Sequence, residues 1–281
     1  MMRRLIFTIL LFLGCQLGAE ELVLVSVAPY QLMCEELTNG AVEVEVLVPV
    51  GYSLHTYEPT PKQIIRAAKA KVWFIVGEIF EKKVSVALRE QNPKLDIVDL
   101  RDGLELMDEH EEEEHHHHHE DEKDPHIWMS PKMMLVQVRH MALSLIQAFP
   151  ELKEQIEEKK EALLQKLAQL DYEMHEILKG SRGKVVFVSH PAYGYLCQEF
   201  GLKQVSIEFE GKDPTPRQLN RLLEQARKEK IGTIFTQKQY STKASDLLAQ
   251  ELGAKIVLLD PYSKNYFESM LEIAKQFAEA K

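Results

Sequence analysis

The apolar positions of this 281-residue chain fall into two kinds of pattern that alternate along its length. Short β-branched runs, Leu22 to Val27 and Lys184 to Ser189, read as buried strands leading into helices, and Val42 to Val48 alternates apolar and polar as a half-buried strand does. Val72 to Val76, Leu95 to Val98, Thr233 to Thr236 and Lys255 to Leu259 complete the set of strands. Two of the intervening helical stretches open on Thr-Pro, with Thr60 or Thr215 as N-cap and the Pro at the first helical position, where its missing N–H costs nothing. Strands and helices in alternation predict α/β architecture with parallel sheets. The longest periodic segment carries Leu152, Ile156, Leu163, Leu167, Leu170, Met174 and Ile177 on one stripe. At ~1.5 Å per residue, 151–179 predicts a helix of roughly 43 Å, long enough to run the height of two lobes as a rigid backbone.

The pattern occurs twice. Val25-Ser-Val-Ala-Pro-Tyr30 through Cys34-Glu-Glu36 aligns with Val188-Ser-His-Pro-Ala-Tyr193 through Cys197-Gln-Glu199 at an offset of 163, and Glu58-Pro-Thr-Pro61 aligns with Asp213-Pro-Thr-Pro216 at an offset of 155. An internal repeat of this size predicts two lobes of similar build, an N-terminal lobe over 20–150 and a C-terminal lobe over 180–281, joined by the helix at 151–179. Cys34 and Cys197 fall on equivalent helices of different lobes, so two buried free thiols are expected rather than a bridge.

Charge and the N-terminus narrow the class. The formal charge is -10, but residues 109–124 hold nine Asp/Glu and one Lys, a net of -8, which leaves about -2 for the rest. A near-neutral body lacks the basic stripe of a nucleic-acid surface. Arg3-Arg4 followed by the apolar run from Leu5 to Leu13 has the form of a secretory signal over 1–19, too short for a membrane span. Lipidation at Cys15 and plain cleavage after Ala19 remain alternatives, and either places the mature protein outside the cytoplasm.

Candidate chemistry gathers at the strand ends. In open α/β sheets ligands bind beyond the carboxyl ends of the strands, which for two lobes points to the cleft between them. His55 follows the strand ending near Val48, His126 precedes the helix that starts at Pro131, His190 directly follows Val185 to Ser189, and Asp260 directly follows Ile256 to Leu259. Three imidazoles and one carboxylate on separate strand ends or loops are the number and type that tetrahedral zinc takes. His190 stands where the first copy has Val27, so the fold does not require a histidine there. Glu58, Glu208 and Glu210 are reserve carboxylates. The segment 105–124 adds an acidic, histidine-rich run, His115, His116, His117, His118 and His119, read as a flexible accessory chelator.

Gly51-Tyr-Ser-Leu-His55-Thr-Tyr-Glu-Pro-Thr-Pro61, Asp124-Pro-His126-Ile-Trp128-Met-Ser-Pro131, Ser189-His190-Pro-Ala-Tyr193-Gly194-Tyr-Leu196 and Leu259-Asp260-Pro261 together resemble the metal-specific solute-binding proteins of ABC transporters, the zinc and manganese type. The resemblance runs through essentially the whole mature chain. It implies one divalent ion in the cleft, held by His55, His126, His190 and Asp260, in a periplasmic or membrane-anchored monomer. The ion would pass to an ABC permease and its ATPase, the only route to a membrane besides a lipid on Cys15. In that family the third ligand tends to be His for zinc and Glu for manganese, so His190 favours Zn2+ over the alternatives Mn2+ and Fe2+, as imidazole chemistry does. Leu54 precedes His55 where some zinc members place a Glu, which leaves Asp260 as the expected carboxylate. Two other readings stand beside this one: an exported zinc hydrolase with Glu58 or Glu208 as base, and a metal-buffering or adhesive surface protein.

Overall fold

The computed structural model describes residues 22–49, 51–108, 123–209, 211–240 and 243–280. The expected signal segment, Cys15, Glu210 and His115 to His119 lie outside these residues.

Eight strands and nine α-helices are described. The first lobe contains β1 (Leu22–Val25), α1 (Ala28–Thr38), β2 (Glu43–Val46), α2 (Pro61–Ala67), β3 (Val72–Ile75), α3 (Ile79–Gln91), β4 (Asp96–Asp99) and α4 (Pro131–Ala148). After α5 (Lys153–Leu178) the second contains β5 (Val185–Val188), α6 (Gly194–Phe200), β6 (Lys203–Ser206), α7 (Pro216–Glu229), β7 (Thr233–Thr236), α8 (Lys243–Leu252), β8 (Lys255–Leu258) and α9 (Tyr266–Glu279). The sheets have the same parallel order, β2-β1-β3-β4 and β6-β5-β7-β8. Strands β1 and β7 are buried along their whole length, as continuous apolar runs in a parallel sheet should be.

Both Thr-Pro starts form as their residues dictate. Thr60 and Thr215 each accept a hydrogen bond from the backbone N–H three residues on, and the side-chain oxygens of Gln63 and Gln218 accept from the cap N–H, closing two capping boxes. The connecting helix is 26 residues, about 39 Å at ~1.5 Å per residue, because Pro150–Leu152 takes the tighter 3-10 form before it. Its buried stripe is Ile156, Leu163, Leu167, Leu170, Met174 and Leu178; Leu178, rather than Ile177, closes it. Helix α5 packs on α1, α4 and α9, so elements of both lobes share it. Cys34 and Cys197 are buried and unbridged. Among the described residues, no helix is long and apolar enough to cross a membrane.

Candidate metal centre

The Asp-Pro-His-Ile-Trp-Met-Ser-Pro segment is built from its own side chains. Asp124 turns the chain by accepting from the His126 backbone N–H at 2.9 Å, and the same oxygen accepts from the ring at Nδ1, 2.7 Å away. Ile127, Trp128 and Met129 form one 3-10 turn and are fully buried. Ser130 then caps α4, accepting from Met133 N–H, with Pro131 at the first helical position. The segment belongs by sequence to the first lobe but is tied to the second. Trp128 Nε1 donates to the Pro261 carbonyl and Tyr266 Oη to the Trp128 carbonyl, both at 2.8 Å. Tyr195 Oη donates to the Asp124 carbonyl, also at 2.8 Å, and Ser130 Oγ donates to Glu199. Gly194 lies so close beneath Asp124 that a Cβ there would stand 2.9 Å from Oδ2, which gives this glycine its reason.

His190 follows β5, whose register with β7 is continued by Ser189 N–H donating to the Phe235 carbonyl at 2.8 Å. His55 comes from the turn between β2 and α2, anchored by the buried Leu54 and Tyr57. The folded chain brings these three histidines together. His55 Nε2 and His126 Nε2 each lie 3.2 Å from His190 Nε2, and one ligand atom from each ring falls within 4.8 Å of the others. Tetrahedral zinc with bonds of about 2.05 Å to nitrogen would set its ligand nitrogens about 3.3 Å apart. Side-chain exposure is 3% for His126 and His190 but 19% for His55, so His55 is the ring on the solvent side. There it borders a cavity of about 300 Å³ lined by Ser53, Thr56, Glu208, Lys212 and Tyr240, among others.

Each ring also turns its Nδ1 to a different carboxylate. Glu78 lies 3.3 Å from Nδ1 of His55, Asp124 holds His126, and Glu208 makes a short contact with His190. A ring that donates from Nδ1 keeps a bare lone pair on Nε2, the form a metal takes up. With each Nδ1 facing a carboxylate, the Nε2 atoms of the three rings converge, and a cation between them would draw on their lone pairs. Burial, followed by the neighbouring rings of His126 and His55, pushes His190 well below the usual histidine range, so it is neutral at physiological pH. Burial also lifts Glu208 to about 7.

Asp260 does not join the group. Its Oδ1 accepts from Tyr262 N–H at 3.1 Å, the turn role open to any Asp before Pro. Glu58 is exposed and lies 3.7 Å from Lys83, while the reserve carboxylate Glu208 supports His190 rather than taking a corner of its own. Glu78 carries no signal in the sequence, being 23 positions from His55; it is the residue that starts α3. Asp124 could have been found, since an Asp two before a His in a turn can reach both its backbone and its ring.

The family described as zinc-uptake complex component A, periplasmic, matches residues 23–280. The chain belongs to that family. It is 32% identical to the high-affinity zinc uptake system protein ZnuA of Bacillus subtilis (strain 168), over 86% of this chain and 79% of the relative. A crystal structure of ZnuA superimposes with a TM-score of 0.86 at 29% identity, covering 93% of this chain and 99% of that one. A 138-173 deletion mutant of ZnuA with zinc bound gives 0.84, also at 29% identity, covering 93% and 98%. Membership makes this chain a metal-binding solute-binding protein of zinc uptake, with zinc as its ligand.

Proposed function

We propose that the chain captures one Zn2+ outside the cytoplasm on His55, His126 and His190 and hands it to an ABC permease driven by its ATPase. The observation that carries the ligand assignment is the set of three Nε2 lone pairs at 3.2 Å steps, each ring oriented from behind by a carboxylate. Binding and release need no bond chemistry, and no catalytic role is assigned to any residue. The histidine-rich run at 105–124 is proposed as an accessory collector. Asp108 and Lys123, which flank the undescribed part, meet in an antiparallel bridge and an ion pair.

The test is metal content and competitive zinc titration of the mature protein beside His190→Ala and a variant lacking 105–124. One tight zinc that survives the deletion and is lost in His190→Ala supports the cleft site. Tight zinc lost only with the deleted run would overturn it and leave a surface chelator.

A further inference from the structure

A phenol stands beside the imidazoles where a carboxylate was expected. Tyr262 Oη lies 3.1 Å from His126 Nε2, on the same nitrogen that faces His190. Because His126 spends its ring proton on Asp124, Nε2 can only accept, so Tyr262 O–H donates to it. With that one proton used, Tyr262 can only accept from Tyr240, whose hydroxyl is also 3.1 Å away. Tyr240 lies flat on His190, ring centres 3.8 Å apart and planes 8° from parallel, and it lines the cavity beside His55 together with Ser53. A one-way relay therefore runs Tyr240 to Tyr262 to His126. It starts on Tyr240, at the cavity wall, and ends on the buried His126.

We propose that the Tyr262 hydroxyl holds the His126 Nε2 lone pair whenever no ion is bound, and that it faces the ion's open fourth coordination position once the ion has entered. The inference rests on the three-histidine reading above. An ion that takes the Nε2 lone pair of His126 leaves the Tyr262 proton without an acceptor there. The relay can then reverse by rotation alone, with no proton gained or lost: Tyr262 donates to Tyr240, whose hydroxyl turns toward the cavity. The Tyr262 oxygen is then free to accept from a water on the ion. Water polarised by a divalent cation is a strong donor, which suits the reversed sense. Tyr262 thus compensates His126 in one state and the ion's water in the other, a positioning role that a phenylalanine of the same shape could not fill.

The experiment uses the mature chain and its Tyr262→Phe, Tyr240→Phe and Asp260→Asn variants, with unchanged circular dichroism as the check on folding. In the metal-free protein, 15N spectra of the histidine rings read the relay directly. Tyr262→Phe is expected to shift the His126 Nε2 resonance, assigned with His126→Ala, and Tyr240→Phe to shift it less. With zinc loaded, release to excess chelator is expected to be about tenfold faster in Tyr262→Phe, the equivalent of about 1.4 kcal/mol. Asp260→Asn should stay within about twofold of the wild type. An unmoved His126 resonance, or release from Tyr262→Phe within twofold of the wild type, overturns the inference, as does a collapse of binding confined to Asp260→Asn, which would make Asp260 the fourth ligand. If the wild type takes up no zinc, the three-histidine reading itself fails and carries this inference down with it.

Discussion

Asp124 is the residue whose removal best separates holding a ligand from being one. It touches no ion in the proposed site, yet one of its oxygens takes both the His126 backbone N–H at 2.9 Å and the ring Nδ1–H at 2.7 Å. The backbone bond shapes the turn, so its loss falls mainly on the fold. The ring bond fixes the tautomer and the direction of Nε2, so its loss falls on metal affinity. A hydrogen bond to a charged group is worth about 1.5–3 kcal/mol net, which predicts that Asp124→Ala weakens zinc about 10- to 100-fold. That agrees with the range found when carboxylates behind metal-bound histidines are removed. Asp124→Asn keeps an acceptor oxygen in place and loses only the charge, so it should retain more of the affinity than Asp124→Ala. The assay is competitive titration against a chromophoric chelator at pH 7.5, with melting of the metal-free proteins alongside. An Asp124→Ala protein that melts normally and binds zinc within twofold of the wild type would refute the argument that the carboxylate orients the ligand.

Two other perturbations test neighbouring parts. Gly194→Ala places a methyl group 2.9 Å from Asp124 Oδ2; because that carboxylate is already committed to His126, zinc affinity should fall about 3- to 10-fold while the fold survives. Titration of that variant beside Asp124→Ala should show no further loss in the double variant. Burial lifts the Glu81 carboxyl to about 7, against hydrogen bonds from Ser26 Oγ and the Val76 and Gly77 N–H groups that lower it. The unfolded carboxyl titrates near ~4.3, so between there and 7 the folded chain holds the extra proton. Stability therefore falls as pH rises through that window and levels above 7, by at most ~4 kcal/mol for this group. Glu81→Gln should reduce the protons released on unfolding at pH 6 by up to one. Equal pH slopes in the two proteins would count against a protonated Glu81.

Much of the architecture was legible because it was written twice. The aligned Thr-Pro starts at Thr60 and Thr215 marked helix starts to the residue, and the paired apolar runs pointed to a parallel sheet in each of two similar lobes; the shared strand order itself came from the structure. His55, His126 and His190 were legible because strand ends of a parallel sheet converge, and a histidine replacing Val27 of the first copy had no packing reason to be there. The groups behind them were not. Glu78 reaches His55 only through the meeting of the β2–α2 turn with the start of α3, and no local pattern marks such a contact. Glu208 was visible as a carboxylate near the cleft but not which nitrogen it would face. Asp260 shows the converse: a residue of the right type at the right strand end, whose oxygen is taken by its own turn. Tyr240 and Tyr262 gave no sign at all, since a tyrosine in a loop reads as surface or core until its hydroxyl has a neighbour.

The fastening of Trp128 to Pro261 and of Tyr195 to Asp124 changes how an ion could leave. His126 is bolted to the same half of the molecule as His190, so the two imidazoles travel together. Only His55 rides on the other half, in a turn at the solvent side. A shift of residues 51–56 alone would lower the imidazole count from three to two, and the departing cation would meet the cavity rather than the core. On the proposed three-histidine site, unloading would then be a matter of breaking one bond at the rim, with the inner pair left aligned for the next ion.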